Sequence, residues 1–119
     1  MDESETCDVV PVAVIPAEEL ADRAAALDGE IIQVVGAATT GTVRCTLRPC
    51  TMDDPCCNQC EAPLLVGGAE MIESGCFPAP GCVGTECGLE CSPPRDVETR
   101  FVGVLHVGPP LTLKLLDAE

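Results

Sequence analysis

The chain has 119 residues, a formal net charge of −14 and ten cysteines, and it contains two phenylalanines but neither tryptophan nor tyrosine. A chain of this length folds as one domain around one core, and that core must be built mainly from aliphatic side chains. The acidic charge repels phosphates and anionic headgroups. This argues against nucleic acid or an anionic membrane surface as the main partner.

The N-terminal segment is predicted to lie outside the core. Residues 1–8 carry only acidic charges, which is typical of a disordered tail, so we place the domain at residues 9–119. Residues 9–16 have the β-branched composition of a strand, but Pro11 has no backbone donor. We therefore expect an edge strand or an extended arm at this position.

One helix is predicted next. Pro16 suits a first helical turn, and Leu20, Ala24 and Leu27 fall on one helical face. Gly29 can end the helix, because glycine is favoured just past a helix C-terminus.

From residue 30 the apolar pattern changes to that of strands, with glycines at the turns. The predicted strands are residues 30–36, 41–47, 64–66, 69–72, 100–107 and 111–116. A mainly β domain of about five strands must hide its edges, which favours a small barrel with one N-terminal helix. The predicted barrel core is Ile31, Val34, Val43, Leu47, Leu65, Ile72, Val102, Val104, Leu113 and Leu115.

Three segments carry a resemblance to known proteins. Residues 27–36, L-D-G-E-I-I-Q-V-V-G, and residues 100–105, R-F-V-G-V-L, follow the rhythm of OB-fold strands. The sequence P-C-C-N-Q-C at residues 55–60 is similar to small uncharacterised exported proteins of bacteria. The resemblance implies a five-stranded OB-like barrel and brings no catalytic residues with it.

The cysteines are concentrated between residues 45 and 91, where two long stretches, 48–63 and 74–96, are predicted to be loops. The ten cysteines are Cys7, Cys45, Cys50, Cys56, Cys57, Cys60, Cys76, Cys82, Cys87 and Cys91. Their irregular spacing and even count favour five disulfides over a metal site, and we predict no cofactor. The spacing leaves the pairing open, but the adjacent Cys56 and Cys57 are expected to have different partners.

Disulfides require an oxidising compartment, so we expect an extracytoplasmic protein that is periplasmic, anchored to the outer membrane or secreted. The N-terminus has neither a positive region nor a long apolar run, and no transmembrane segment is predicted. We therefore expect that Met1 stands in place of a removed export signal. The acidic opening would then follow a cleavage site or a lipid anchor in the precursor.

Three functional hypotheses come from these residues. The leading one is a non-enzymatic binding or structural module, because the single histidine, His106, has no acid beside it in sequence. Its rigid loops would present a contact surface to a protein or to a small ligand, with Phe77, Pro78, Pro80 and Arg95 as the candidate residues.

The two alternatives use the cysteines chemically. One is a zinc or copper carrier or sensor, and its candidate thiolates are Cys45, Cys50, Cys56, Cys57, Cys60, Cys87 and Cys91. The other is a thiol–disulfide enzyme that uses Cys57 and Cys60 as a redox pair, although their neighbours predict a turn.

Overall fold

The structure is a computed structural model that describes residues 7–77 and 79–119, and it is mainly β, as predicted. Its strands are β1 (Ala13–Pro16), β2 (Ile31–Ala37), β3 (Thr39–Thr40), β4 (Arg44–Cys45), β5 (Gln59–Ala62), β6 (Leu64–Val66), β7 (Ala69–Ile72), β8 (Gly81–Thr85), β9 (Gly88–Ser92), β10 (Glu98–His106) and β11 (Thr112–Ala118). The division into a tail at residues 1–8 and a domain at 9–119 stays a prediction, and Cys7, within the predicted tail, is bonded to Cys76.

The strands form two open sheets, so the predicted closed barrel is wrong. The larger sheet has seven strands in the order β1-β2-β10-β11-β7-β6-β3, and the smaller has four in the order β4-β5-β8-β9. Three strands of the smaller sheet, β5, β8 and β9, come from the stretches that we predicted to be loops. These strands pair with β4 and with one another, so they build a second sheet. The strands of the chain therefore do not form one sheet that closes on itself as a barrel.

The predicted helix is present as one short, irregular helical segment. The 3₁₀ turn Ala17–Glu19 leads into the α-helix α1 (Leu20–Arg23), which a second 3₁₀ turn at Ala24–Leu27 extends. Leu20 and Ala24 are buried in the core, as their shared face predicts.

The hairpin of β6 and β7 has the predicted bounds. Its turn is Gly67–Gly68, and both glycines have positive φ, 59° and 87°. This conformation matches the twist of the two strands and favours glycine at both positions.

The core lies on one face of the seven-stranded sheet, under the helical segment. Its largest side chains are Ile15, Leu20, Ile32, Val34, Leu64, Val66, Met71, Phe101, Leu105, Leu113 and Leu115. Of the ten residues predicted for the core, Val34, Leu113 and Leu115 are buried.

The other predicted core residues correct our prediction in two ways. Five of the predicted residues point away from the core, and a neighbour of each points inward instead. The five wrongly predicted residues are Ile31, Leu65, Ile72, Val102 and Val104. The error is one residue of register, which turns a side chain to the opposite face. Val43 and Leu47 are exposed because only Arg44–Cys45 of the predicted strand 41–47 pairs in the smaller sheet.

Candidate functional site

Five disulfides connect all ten cysteines. The pairs are Cys7–Cys76, Cys45–Cys60, Cys50–Cys57, Cys56–Cys87 and Cys82–Cys91. The adjacent cysteines, Cys56 and Cys57, have different partners, which confirms that prediction. The Cys57-x-x-Cys60 pair of the redox hypothesis is not bonded to itself, so the structure contradicts that site.

Two of these disulfides hold the strands of the smaller sheet together. Cys45 and Cys60 are directly opposed in β4 and β5, and Cys82 and Cys91 are directly opposed in β8 and β9, each with a Cα–Cα distance of 4.0 Å. Hydrogen bonding between β5 and β8 joins the two pairs. The smaller sheet is therefore cross-linked on both sides of its central strand pair.

A buried amide organises the loop that leads into this sheet. Asn58 is only 7% exposed, and its Oδ1 accepts hydrogen bonds from Thr46 Oγ1 at 2.9 Å and from the Arg48 backbone N–H at 2.7 Å. Its Nδ2 donates to the Arg48 carbonyl at 3.0 Å and to Glu86 Oε2 at 3.3 Å. All the polar atoms of this side chain are satisfied, as burial requires.

Glu86 is the second member of this network. Its Oε1 accepts the Asn58 backbone N–H at 3.0 Å and lies 3.8 Å from Cys50 Sγ. The neighbouring Cys87 is bonded to Cys56, so the turn between β8 and β9 is tied to the loop covalently and by hydrogen bonds. Nothing in the spacing of the chain singled out Asn58 or Glu86, since their contacts join residues 28 positions apart.

A cleft of about 640 Å³ lies where the two sheets meet. Arg44 of β4, Glu61 of β5 and Val83 of β8 line it from the smaller sheet. Leu65 of β6 and Glu70 of β7, which are directly opposed, line it from the larger sheet. The cleft thus combines two carboxylates and one guanidinium with apolar surface.

The charged groups of the cleft form no ion pair with one another or with any other residue that the structure describes. Arg44 and Glu61 are opposed across β4 and β5, yet within residues 7–77 and 79–119 no carboxylate oxygen lies within 4.0 Å of the Arg44 guanidinium. Arg48, in contrast, donates from Nη2 to the Cys57 carbonyl at 2.7 Å. The two arginines therefore differ in role, because Arg48 holds the loop while Arg44 faces the cleft.

The described residues of the predicted contact surface have different surroundings. Pro80 lines the cleft. Phe77 is half-buried and packs against the core, so part of its ring is accessible. The Nε of Arg95 lies 3.9 Å from the Oδ2 of Asp96. The backbone N–H of Asp96 donates to the Ala38 carbonyl. Pro78 lies outside the described residues.

His106 is a surface residue at the end of β10. Its side chain is 74% exposed, and its Nδ1 lies 3.8 Å from Asp28 Oδ1, an acid that the fold brings from far along the chain. The same Asp28 oxygen accepts the Val107 backbone N–H at 2.9 Å. This carboxylate fastens the end of β10 to the turn before β2.

One group of potential metal ligands occurs among the described residues. The Sγ atoms of Cys50 and Cys57 and a carboxylate oxygen of Glu86 all lie within 4.8 Å of one another. In the structure the two sulfurs are bonded to each other, so they would become ligands only after reduction. The other cysteines of the metal hypothesis are all in disulfides as well.

Comparison with protein-family models, with curated proteins and with solved structures finds no match to this chain. The resemblance to OB-fold proteins and to exported bacterial proteins therefore gains no support. In the part of the chain that the structure describes, every helix is too short to cross a bilayer.

Proposed function

We propose that this protein is a non-enzymatic, extracytoplasmic binding module whose contact site is the cleft between its two sheets. The observation that carries the proposal is the covalent rigidity of one cleft wall. Cys45–Cys60 and Cys82–Cys91 cross-link the strands that present Arg44, Glu61 and Val83. A wall that is already ordered loses little conformational entropy on binding, which favours affinity.

The chemistry of the cleft indicates the class of ligand. Leu65, Val83 and Pro63 offer apolar contact, while Glu61 and Glu70 supply two negative charges against the single positive charge of Arg44. The net charge of −14 adds a long-range attraction for cations. These features fit a short peptide segment with apolar side chains and a basic residue.

Two synthetic tripeptides test this proposal. We would titrate the oxidised protein with acetyl-Val-Lys-Val-amide and with acetyl-Val-Glu-Val-amide, and follow backbone amide shifts by NMR. The lysine peptide is expected to shift residues around Glu61 and Glu70, and the glutamate peptide is not. Weak binding, with a Kd of about 1 mM, is expected for so small a ligand.

A charge-neutral variant provides the control for this titration. Glu61→Gln combined with Glu70→Gln should abolish the shifts, while Glu18→Gln, on the exposed helical segment, should preserve them. Equal response to both peptides, or shifts confined to residues outside the cleft, would refute the proposed ligand class.

A second candidate function is favoured by the group of Cys50, Cys57 and Glu86. This function is a metal carrier that acts when the Cys50–Cys57 disulfide is reduced. Two thiolates and a carboxylate are suitable ligands for zinc. Partial reduction with a phosphine, followed by zinc addition and metal analysis, should give bound zinc near one ion per chain. Glu86→Gln should weaken that binding, and Glu90→Gln, on the exposed side of β9, should not. Absence of zinc after mass spectrometry has verified reduction of Cys50–Cys57 would exclude this candidate.

A further inference from the structure

The seven-stranded sheet has an apolar surface on the side turned away from the core. We call this surface the outer face and define it by Val12, Val14, Ile31, Ile72, Val102 and Val104. The strand pairings place Val12, Ile31, Val104 and Ile72 in one row across five strands. Val12 lies opposite Ile31, and Ile31 lies opposite Val104. Lys114 of β11 lies between Val104 and Ile72 and completes the row. The row is continuous because its members are in register.

The outer face is accessible at its edge and half-covered at its centre. Val12 is 64% exposed and Val14 is 58% exposed, while Val102 and Val104 are half-buried between their neighbours. The helical segment lies on the opposite side of the sheet, where Leu20 is part of the core. The helical segment therefore does not cover the apolar side chains of the outer face.

The sequence of the central strands has the pattern of strands that are covered on both sides. Strand β2 reads I-I-Q-V-V-G-A, and the middle of β10 reads F-V-G-V-L. Near-continuous apolar runs of this kind are typical of sheets with both faces buried. A contiguous exposed apolar surface of this kind marks an interaction site.

The charges on the outer face indicate what covers it. Asp117 lies opposite Val102, and Lys114 lies opposite Val104, so one acid and one base of β11 flank the apolar centre. Glu98 and Arg100 repeat this arrangement at the far end of β10. A surface that carries a positive and a negative charge side by side is complementary to itself under a two-fold rotation. The rotation brings the basic residue of each copy to the acidic residue of the other copy.

We propose that the outer face is the interface of a symmetric homodimer of this protein, with two sheets packed face to face. The two-fold axis would pass between Lys114 and Asp117, so that each lysine pairs with the aspartate of the other copy. Sheets stacked in this way pack about 10 Å apart. The peptide cleft opens on the same side of the sheet, since Glu70 lies two residues before Ile72 in β7. The two proposals are tested with different variants and different measurements, so either can fail without the other.

The size of the outer face sets the expected strength of the dimer. Five strands about 4.8 Å apart and about six residues of about 3.4 Å each give a face of about 24 by 20 Å. Two such faces bury on the order of 1,000 Å², which is at the lower end of specific interfaces. We therefore expect a dimer with a Kd of about 10 to 100 µM.

Salt dependence distinguishes this dimer from other complexes. Two copies of net charge −14 repel each other at long range, and salt screens this repulsion. Added salt should therefore tighten the dimer about tenfold between about 0.05 M and 0.5 M. Binding of a basic partner protein would instead weaken with salt.

Sedimentation velocity on the oxidised full chain, from about 5 µM to 1 mM, tests the proposal at these two salt concentrations. A monomer–dimer equilibrium that shifts to dimer with salt is the expected result. A monomer throughout, or a dimer that dissociates with salt, would overturn the proposal.

Matched variants locate the interface. Val104→Glu should abolish dimerisation, while Leu47→Glu, the same kind of change at a residue 95% exposed on the cysteine-rich loop, should leave the Kd within about twofold. The thermal melting curve of each variant verifies folding. Dimerisation of Val104→Glu like that of the unmodified protein would overturn the proposal.

A charge exchange tests the symmetry and remains informative if Val104→Glu does not fold. Lys114→Glu alone and Asp117→Lys alone should each weaken self-association at least tenfold, because each places like charges together. A mixture of the two variants should form a heterodimer, since opposite charges then face each other. If mixing produces no heterodimer, the two-fold arrangement is wrong.

Discussion

Among single residues, Asn58 has a structural role that composition does not explain. It is one of two buried polar residues among those described, and its amide bonds to Thr46, Arg48 and Glu86. Its Nδ2 also lies 3.4 Å from Cys50 Sγ. The side chain thus joins the loop of residues 46–57 to the turn between β8 and β9, and it needs both the oxygen and the nitrogen of a carboxamide.

Asn58→Asp is expected to destabilise the protein, although the change in shape is minimal. The variant loses the Nδ2 donor and places a buried carboxylate beside Glu86, so the free energy of unfolding should fall by about 3 kcal/mol. Gln59→Glu is the matched control, because the neighbouring side chain is exposed, and it should change stability by less than about 0.5 kcal/mol. Guanidinium unfolding without reductant measures the free energy of unfolding of both variants. Equal losses would contradict the role given to Asn58.

At the level of elements, the central strands show how one residue of register decides the core. Ile31 and Ile32 are identical neighbours in β2, yet Ile32 is fully buried while Ile31 belongs to the outer face. The alternation of apolar and polar residues that normally identifies the inner face is absent here. Our prediction therefore placed Ile31 in the core, whereas the structure places Ile32 there, opposite Ala13 of the parallel strand β1.

Substitution of these two isoleucines tests the register directly. Ile32→Ala should lower the free energy of unfolding by about 2 to 5 kcal/mol, because it leaves a cavity in a packed core. Ile31→Ala should cost about 1 kcal/mol, since its side chain is partly solvated in the monomer. Unfolding curves at low micromolar protein concentration keep any dimer from contributing. A larger loss for Ile31→Ala would mean that the register is shifted by one residue.

At the level of the whole molecule, the disulfides are distributed unevenly between the two sheets. Four of the five lie within residues 45–91, where they cross-link the smaller sheet and its loops. Cys7–Cys76 alone spans a separation of 69 residues, and it ties the N-terminal arm to the segment after β7. The smaller sheet has few core residues of its own, so covalent bonds supply the order that apolar burial supplies in the larger sheet.

Removal of single disulfides should reveal this difference. In the chain-entropy model the cost rises with loop length, so Cys7→Ala with Cys76→Ala should cost about 4 kcal/mol. Cys50→Ala with Cys57→Ala, a bond that closes only seven residues, should cost about 2.5 kcal/mol. Guanidinium unfolding of the oxidised variants measures both, and intact mass verifies that the remaining disulfides have formed. A greater loss for the short loop would contradict this account.

The sequence by itself determined the elements that depend on neighbours in the chain. The hairpin at Gly67–Gly68 and the buried face of the helical segment follow from local turn chemistry and periodicity. The even number of cysteines determined that all of them could pair. Strands β5, β8 and β9 were missed because glycine, cysteine and acidic residues give them no strand pattern.

Only the tertiary structure decided the pairing of the cysteines, the two open sheets and the cleft between them. The cleft brings Arg44, Glu70 and Val83 together from three separate strands, and no spacing in the chain encodes that meeting. It also decided which of two apolar faces became the core. Local sequence pattern carries no information on the meeting of these cleft residues or on the choice between the two apolar faces. The free energy that separates one arrangement from another comes from contacts between residues far apart in sequence.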